Sequence, residues 1–182
     1  MDIRACFDCV LRYLRPNIPT SPMLQQIEQL CVQTDGRYAT DAELIFFQDY
    51  LNTARLRFLL YQKMQKLEPQ IIQKVLAELQ TKEPGLLTIN GQDLTAKWQR
   101  DTIRLLRYAA TALLSGDAEV FEESLLMWFQ TIMRSFQAER SCEATYRTMD
   151  KVLREMLSPD EAALFCPLIE MSQTMLGKSD AS

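Results

Sequence analysis

Cys6 and Cys9 form a C-x-x-C pair. Thiolates at that spacing hold zinc or an iron–sulfur cluster when two further donors complete the set. The chain has no histidine, so those donors would have to be found among Cys31, Cys142 and Cys166, which stand at no metal-site spacing. A redox C-x-x-C belongs at a strand-to-helix junction, and no such junction is visible here. Cys6 instead lies on an apolar stripe with Ile3, Phe7, Val10, Leu11 and Leu14 and reads as a small core residue. The absence of histidine also removes a proximal-His haem, a His-containing zinc site and any Ser-His-Asp or Cys-His nucleophile pair. With 5 glycines and neither a GxGxxG nor a GxxxxGK[ST] pattern, the usual phosphate loops are missing too. Glu119, Glu122 and Glu123 read as a solvated helix face. No acid, base or nucleophile constellation stands out, so the chain is expected not to be an enzyme.

The net charge of −4 gives no reason to expect a nucleic-acid partner, which normally calls for a basic surplus. No apolar run approaches a membrane span. Asp2, Arg4, Asp8 and Arg12 interrupt the apolar N-terminal stretch, which is therefore not expected to be a signal peptide. Five cysteines, an odd number, fit free thiols in a reducing cytoplasm.

The elements that must position any site are helical almost throughout. Residues 1–21 read as an amphipathic arm followed by a connector broken at Pro16 and Pro19. Ser21-Pro22 starts a helix carrying Leu24, Ile27, Leu30 and Cys31 inward, ending near Asp35-Gly36. Thr40 and Glu43 form a capping box for a helix to about Lys66, with Leu44, Phe47, Leu51, Ala54, Phe58 and Tyr61 as candidate core. Pro69 is expected to restart a helix that ends at Lys82-Glu83-Pro84-Gly85, and residues 85–92 to form a loop. Further helices are expected over about 93–115, 118–137 and 142–156. A last helix begins at Ser158-Pro159 with Glu161 and should be kinked at Pro167. Together these give an all-α domain over 22–177 and a disordered tail at 178–182.

The stretch Lys97-Trp98-Gln99-Arg100-Asp101, running on through Leu106-Arg107-Tyr108-Ala109 to Gly116-Asp117, resembles the chromophore helix of phycobiliproteins. Gly36-Arg37-Tyr38 followed by Glu43-Leu44 resembles that family's junction between its first two helices. Lys82-Glu83-Pro84 resembles the turn before the chromophore loop, and Leu157-Ser158-Pro159-Asp160 the start of the last helix. The resemblance covers about residues 22–176. It implies the phycobiliprotein version of the globin fold, with a protruding N-terminal helical pair.

In that family a cysteine at the position of Trp98 bonds a linear tetrapyrrole through a thioether, which an indole cannot do. The family's tyrosine pair is Arg104-Leu105 here. Arg100 and Asp101 match the residues that meet a bilin propionate and the pyrrole nitrogens. That suits a guanidinium facing a carboxylate and a carboxylate accepting N–H bonds. Arg107 matches an arginine that pairs across the subunit interface with an aspartate; that position is Gln33 here, with Asp35 nearby. Asp35, Arg37, Tyr38 and Arg107 are therefore the candidate interface residues.

The resemblance implies a non-catalytic interaction, assembly or regulatory factor of a phycobilisome or photosystem, without covalent bilin. Its partner would be a protein of that apparatus, met as a homo- or heterodimer through the first two helices of the domain. Its place would be the cytoplasm, at the cytoplasmic face of thylakoids through that partner. A second reading is a non-covalent carrier or sensor of a bilin or related tetrapyrrole. A third is a stress-signalling, non-haem globin-like module. Arg4, Arg12, Arg15 and Tyr13 make the N-terminal arm locally basic, either a cover for the domain's own apolar surface or a docking helix.

Overall fold

The computed structural model describes residues 22–89 and 91–177. The expectations for the N-terminal arm, for Cys6 and Cys9, for the connector and for the 178–182 tail lie outside the described residues.

Helix α1 spans Pro22–Gln33 and is followed by a turn closed by Gly36. The Thr40–Glu43 capping box forms: the Thr40 backbone N–H donates to Glu43 Oε2 at 2.8 Å, and the Glu43 N–H to Thr40 Oγ1 at 3.4 Å. One turn of 3-10 helix, Ala42–Leu44, then leads into α2, Ile45–Lys82, a single helix of 38 residues. At 1.5 Å per residue it is about 57 Å long. The chain turns and makes a small antiparallel hairpin, β1 (Thr88–Ile89) against β2 (Gln92–Asp93). Helix α3 covers Thr95–Ser115. A short helix α4, Ala118–Phe121, runs through one π-helical segment, Glu122–Leu126, into α5, Met127–Ser135. Helices α6, Glu139–Met156, and α7, Pro159–Leu176, complete the fold.

The end signals in the sequence act as expected. Gly116 closes α3 at φ 74°, a left-handed conformation in which a side chain would be strained. A Cβ there would also stand 3.2 Å from the Tyr50 ring. Asp117 caps α4 by accepting the Val120 N–H at 3.0 Å. Ser158 and Glu161 form a full capping box on α7, with Pro159 in its first turn.

The core is made by Leu60, Ile72 and Val75 of α2, Leu105, Ala109 and Leu113 of α3, Phe121 and Leu126, and the facing sides of α6 and α7. Helices α6 and α7 share the most extensive contact, and α2 lies across both α3 and α6. This is the all-α, globin-like arrangement implied by the sequence, with a two-stranded hairpin added.

Several expectations are corrected. Pro69 does not break the chain into two helices; α2 runs through it. Proline forfeits only one helical hydrogen bond, and buried Met64, Ile71 and Ile72 on either side anchor the helix to the body. The 85–92 segment is not wholly a loop, since it contributes to the hairpin. Leu44, Phe47, Leu51 and Phe58 are exposed rather than buried, and so is Cys31. Burial in α2 begins at Leu60. The preceding 15 residues, about 22 Å of helix, carry apolar side chains that nothing among the described residues buries. The reason is physical: an apolar stripe reports that a face avoids water, not which molecule covers it. Pro167 lies inside α7, as the sequence reading placed it.

Candidate functional site

Helices α3 and α6 carry polar residues on the stripes with which they meet the body. On α3 these are Trp98, Asp101 and Thr102, at helical spacing of three and four; on α6 they are Cys142, Thr145 and Tyr146, at the same spacing. Between the two helices lies a cavity of about 450 Å³. Its apolar wall includes Leu86, Leu87, Leu94, Phe129, Met133 and Phe136. Such a size and mixture suit a small-molecule site.

Trp98 lines this cavity, and its indole Nε1–H donates to Thr145 Oγ1 at 2.8 Å. The indole is thus fixed by a bond between α3 and α6 and leaves the cavity open. Asp101 also faces the cavity, and no hydrogen bond reaches its carboxylate among the described residues. Burial pushes its carboxyl above the ordinary aspartate range, against the opposing pull of Lys97, Arg104 and Arg100. Burial likewise pushes the Cys142 thiol up to about 12, helped by the charges of Glu139 and Asp101. The Tyr146 phenol is raised well above its usual value, first by burial. At neutral pH the thiol and the phenol therefore keep their protons. Lys97 stands at the same cavity, its Nζ 4.2 Å from the Phe136 ring centroid, a cation–π contact.

Among the sequence candidates, then, the structure brings Trp98 and Asp101 together in one cavity. Arg100 is exposed and does not line it. The candidate interface residues lie elsewhere. Arg107 makes a two-pronged ion pair with Glu68 of α2, at 2.8 and 2.7 Å. Arg37 is held by Glu43 at 3.0 and 2.7 Å, and these bonds hold the Glu43 carboxyl down to about 2. Asp35 is exposed, and Tyr38 is 98% exposed.

Sequence reasoning passed over Thr102, Thr145 and Tyr146, weighed Cys142 only as a metal donor, and met Lys97 only as part of the motif. The usable signal was the intrusion of hydroxyl and thiol groups into the stripe that continues as Met149, Val152 and Leu153 on α6. Cys166 is buried in α7, away from the cavity lining. Among the described residues no group of three or more acidic or cysteine side chains is placed to hold a metal. No helix there is long and apolar enough to cross a membrane.

An all-helical, globin-like body with a projecting helical pair and a cleft beside the R-D motif defines a phycobiliprotein-type protein. The family model described as "Phycobilisome protein" matches residues 30–176, and the chain belongs to that family. It is also similar to the allophycocyanin subunit beta-18 of Aglaothamnion neglectum, with 30% identity over 95 residues. That match covers 50% of this chain and 56% of the relative, so it spans about half the length of each. Members of this family typically bind bilin.

Proposed function

We propose that this chain is a non-catalytic interaction or assembly subunit of the phycobilisome or a photosystem that pairs with another family-like subunit through α1 and the first part of α2. The observation that carries the reading is the apolar face left exposed there. Phe58 is 52% and Leu51 54% exposed, with Ile45, Phe47 and Leu59 on the same projecting stretch. A patch of this kind on a helical projection marks a protein interface. Its partner sits at the cytoplasmic face of the thylakoid, which brings the chain there. Sedimentation of the full chain, alone and with an allophycocyanin subunit, tests this; Phe58→Glu should strongly weaken the pairing.

A second reading is favoured by the cavity itself. Asp101 faces about 450 Å³ of mainly apolar space with no hydrogen-bond partner among the described residues, which suits an N–H-bearing pigment held without a covalent bond. Purified from a bilin-producing host, the wild type should show visible absorption that is lost on denaturation in acid and urea. Trp98→Cys, which restores a thiol at the family's attachment position, should give a pigment that stays on the chain under the same denaturation. A colourless wild type would remove the reading.

A further inference from the structure

The outward side of the first half of α2 is apolar on two flanks. At about 100° per residue, Phe47, Leu51 and Phe58 project within about 40° of one another. Ile45, Leu56 and Leu59 project within about 60° of one another, about 130° further round the helix. Gln48 and Arg55, both exposed, stand between the two flanks, and Asn52 interrupts the second. On that second flank Ile45 is 54% and Leu59 51% exposed, and Leu56 is half-buried. A single helix laid along α2 meets a stripe about 100° wide, so it covers one flank and leaves the other in water.

The chain carries a segment whose pattern, length and charge fit the second flank. Residues 1–21 precede α1, and Ile3, Phe7, Val10, Leu11 and Leu14 recur there at helical spacing. As a helix that stripe is about 17 Å long, against about 21 Å from Ile45 to Leu59. Helix α1 is about 18 Å long. Residues 15–21, which join the stripe to α1 and include Pro16 and Pro19, span up to about 24 Å when extended. That reach exceeds the length of α1 and lets the stripe return to the start of α2. Residues 1–15 carry Arg4, Arg12 and Arg15 against Asp2 and Asp8. The projecting pair offers the opposite charge. Glu28 of α1, Asp35 of the turn and Asp49, one helical turn after Ile45, are exposed, and none makes an ion pair among the described residues.

We propose that residues 1–15 dock as an amphipathic helix on the Ile45–Leu56–Leu59 flank of α2 in the same chain, covering part of the pairing face until a partner subunit displaces them. The displacement rests on the pairing reading above; the docking does not. The Phe47–Leu51–Phe58 flank stays open, so a partner engages there first and then takes the second flank from the arm. The cover keeps the unpaired chain from presenting the whole apolar face to water. Its cost is affinity: an arm docked in about nine chains of ten weakens pairing about tenfold.

The test uses the full chain with Cys31→Ser, which removes the exposed thiol of α1. Leu59→Cys then puts a thiol on the covered flank and Leu51→Cys one on the open flank. Oxidation with copper–phenanthroline at about 1 μM, followed by peptide mapping, should join the Leu59→Cys thiol to Cys6 or Cys9 within one chain and leave the Leu51→Cys thiol free. A maleimide should label Leu59→Cys at least about fivefold more slowly than Leu51→Cys, and adding Phe7→Glu should bring the two rates together. Equal rates with the native arm, protection that fades on dilution, or a disulfide formed only between chains would overturn the docking. Should Leu59→Cys fail to fold, Ile45→Cys probes the same flank. Phe7→Glu alone should tighten pairing with an allophycocyanin subunit about tenfold in analytical ultracentrifugation. Pairing that is no tighter in Phe7→Glu than in the wild type overturns the displacement. An intrachain disulfide with no pairing in either protein leaves the docked arm standing and removes the pairing reading.

Discussion

Asp101 is a residue whose charge works against the fold. Its carboxyl is raised by burial, and no hydrogen bond among the described residues compensates. In the unfolded chain the same group releases its proton at a lower pH. Stability from the protonated form is complete below the ordinary aspartate range and is lost as pH rises through the raised folded value. At about pH 7 the charge is therefore a net cost. Asp101→Asn should raise the melting temperature at about pH 7, and the gain should vanish near about pH 3, where the wild type is protonated too. Thermal melts of both proteins across that range check this, and an Asn variant less stable than the wild type at neutral pH would refute it. A group kept despite such a cost is what a ligand site demands. The R-D motif made Asp101 visible in the sequence. Tyr146 was not visible, because only the packing of α6 on α3 shows that it lines the cavity. Trp98 was visible as a lost thiol, but its bond to Thr145, 47 positions away, was not.

Helix α2 shows what local rules settle and what they do not. Pro69 reads as a break because it removes one N–H and crowds the carbonyl four residues back. The helix continues because residues on both sides of it are clamped in the core, Met64 before and Ile71 and Ile72 after. The cost of the proline remains in the native state. Pro69→Ala should therefore stabilise the chain by about 1–2 kcal/mol, the restored helical bond and relieved clash less the entropy that alanine returns to the unfolded chain. A urea titration should show a higher midpoint at unchanged slope; a lower midpoint would mean that the proline bend is needed to seat α2 on α3. Caps were legible with better accuracy than continuity. Thr40–Glu43 and Ser158–Glu161 each depend on a few adjacent residues, whereas the passage through Pro69 depends on tertiary contacts. Tyr50 and Arg57 of α2 add a further link that sequence does not show. They donate to the Leu114 and Leu113 carbonyls at 3.0 and 2.8 Å, satisfying the open end of α3.

At the scale of the molecule, the exposed half of α2 decides how the chain is used. The period of its apolar residues was read as core, yet Leu44, Phe47, Leu51 and Phe58 are exposed among the described residues, because a period shows that a face is apolar and not what covers it. A stable interface buries about 800 Å² on each side. Tyr38, Ile45, Phe47, Leu51, Phe58 and Leu59, all exposed, supply its apolar centre when a second helical pair lies across them. Arg107 and Arg37 are already satisfied within the chain by Glu68 and Glu43, so the affinity should come mainly from apolar contact and depend weakly on salt. A charge placed at the centre should be far more disruptive than one at the rim. Phe58→Glu is expected to weaken pairing at least about thirtyfold, as loss of a central anchor does, and leave the far-UV circular dichroism of the monomer unchanged. Asp35→Ala, near the edge, should change it less than about threefold. Analytical ultracentrifugation of the full chain over about 1–100 μM, with and without an equimolar allophycocyanin subunit, separates self-pairing from pairing with a relative. A chain that stays monomeric in both arms, with Phe58→Glu indistinguishable from wild type, would mean that the face is covered from within and that assembly is not its function.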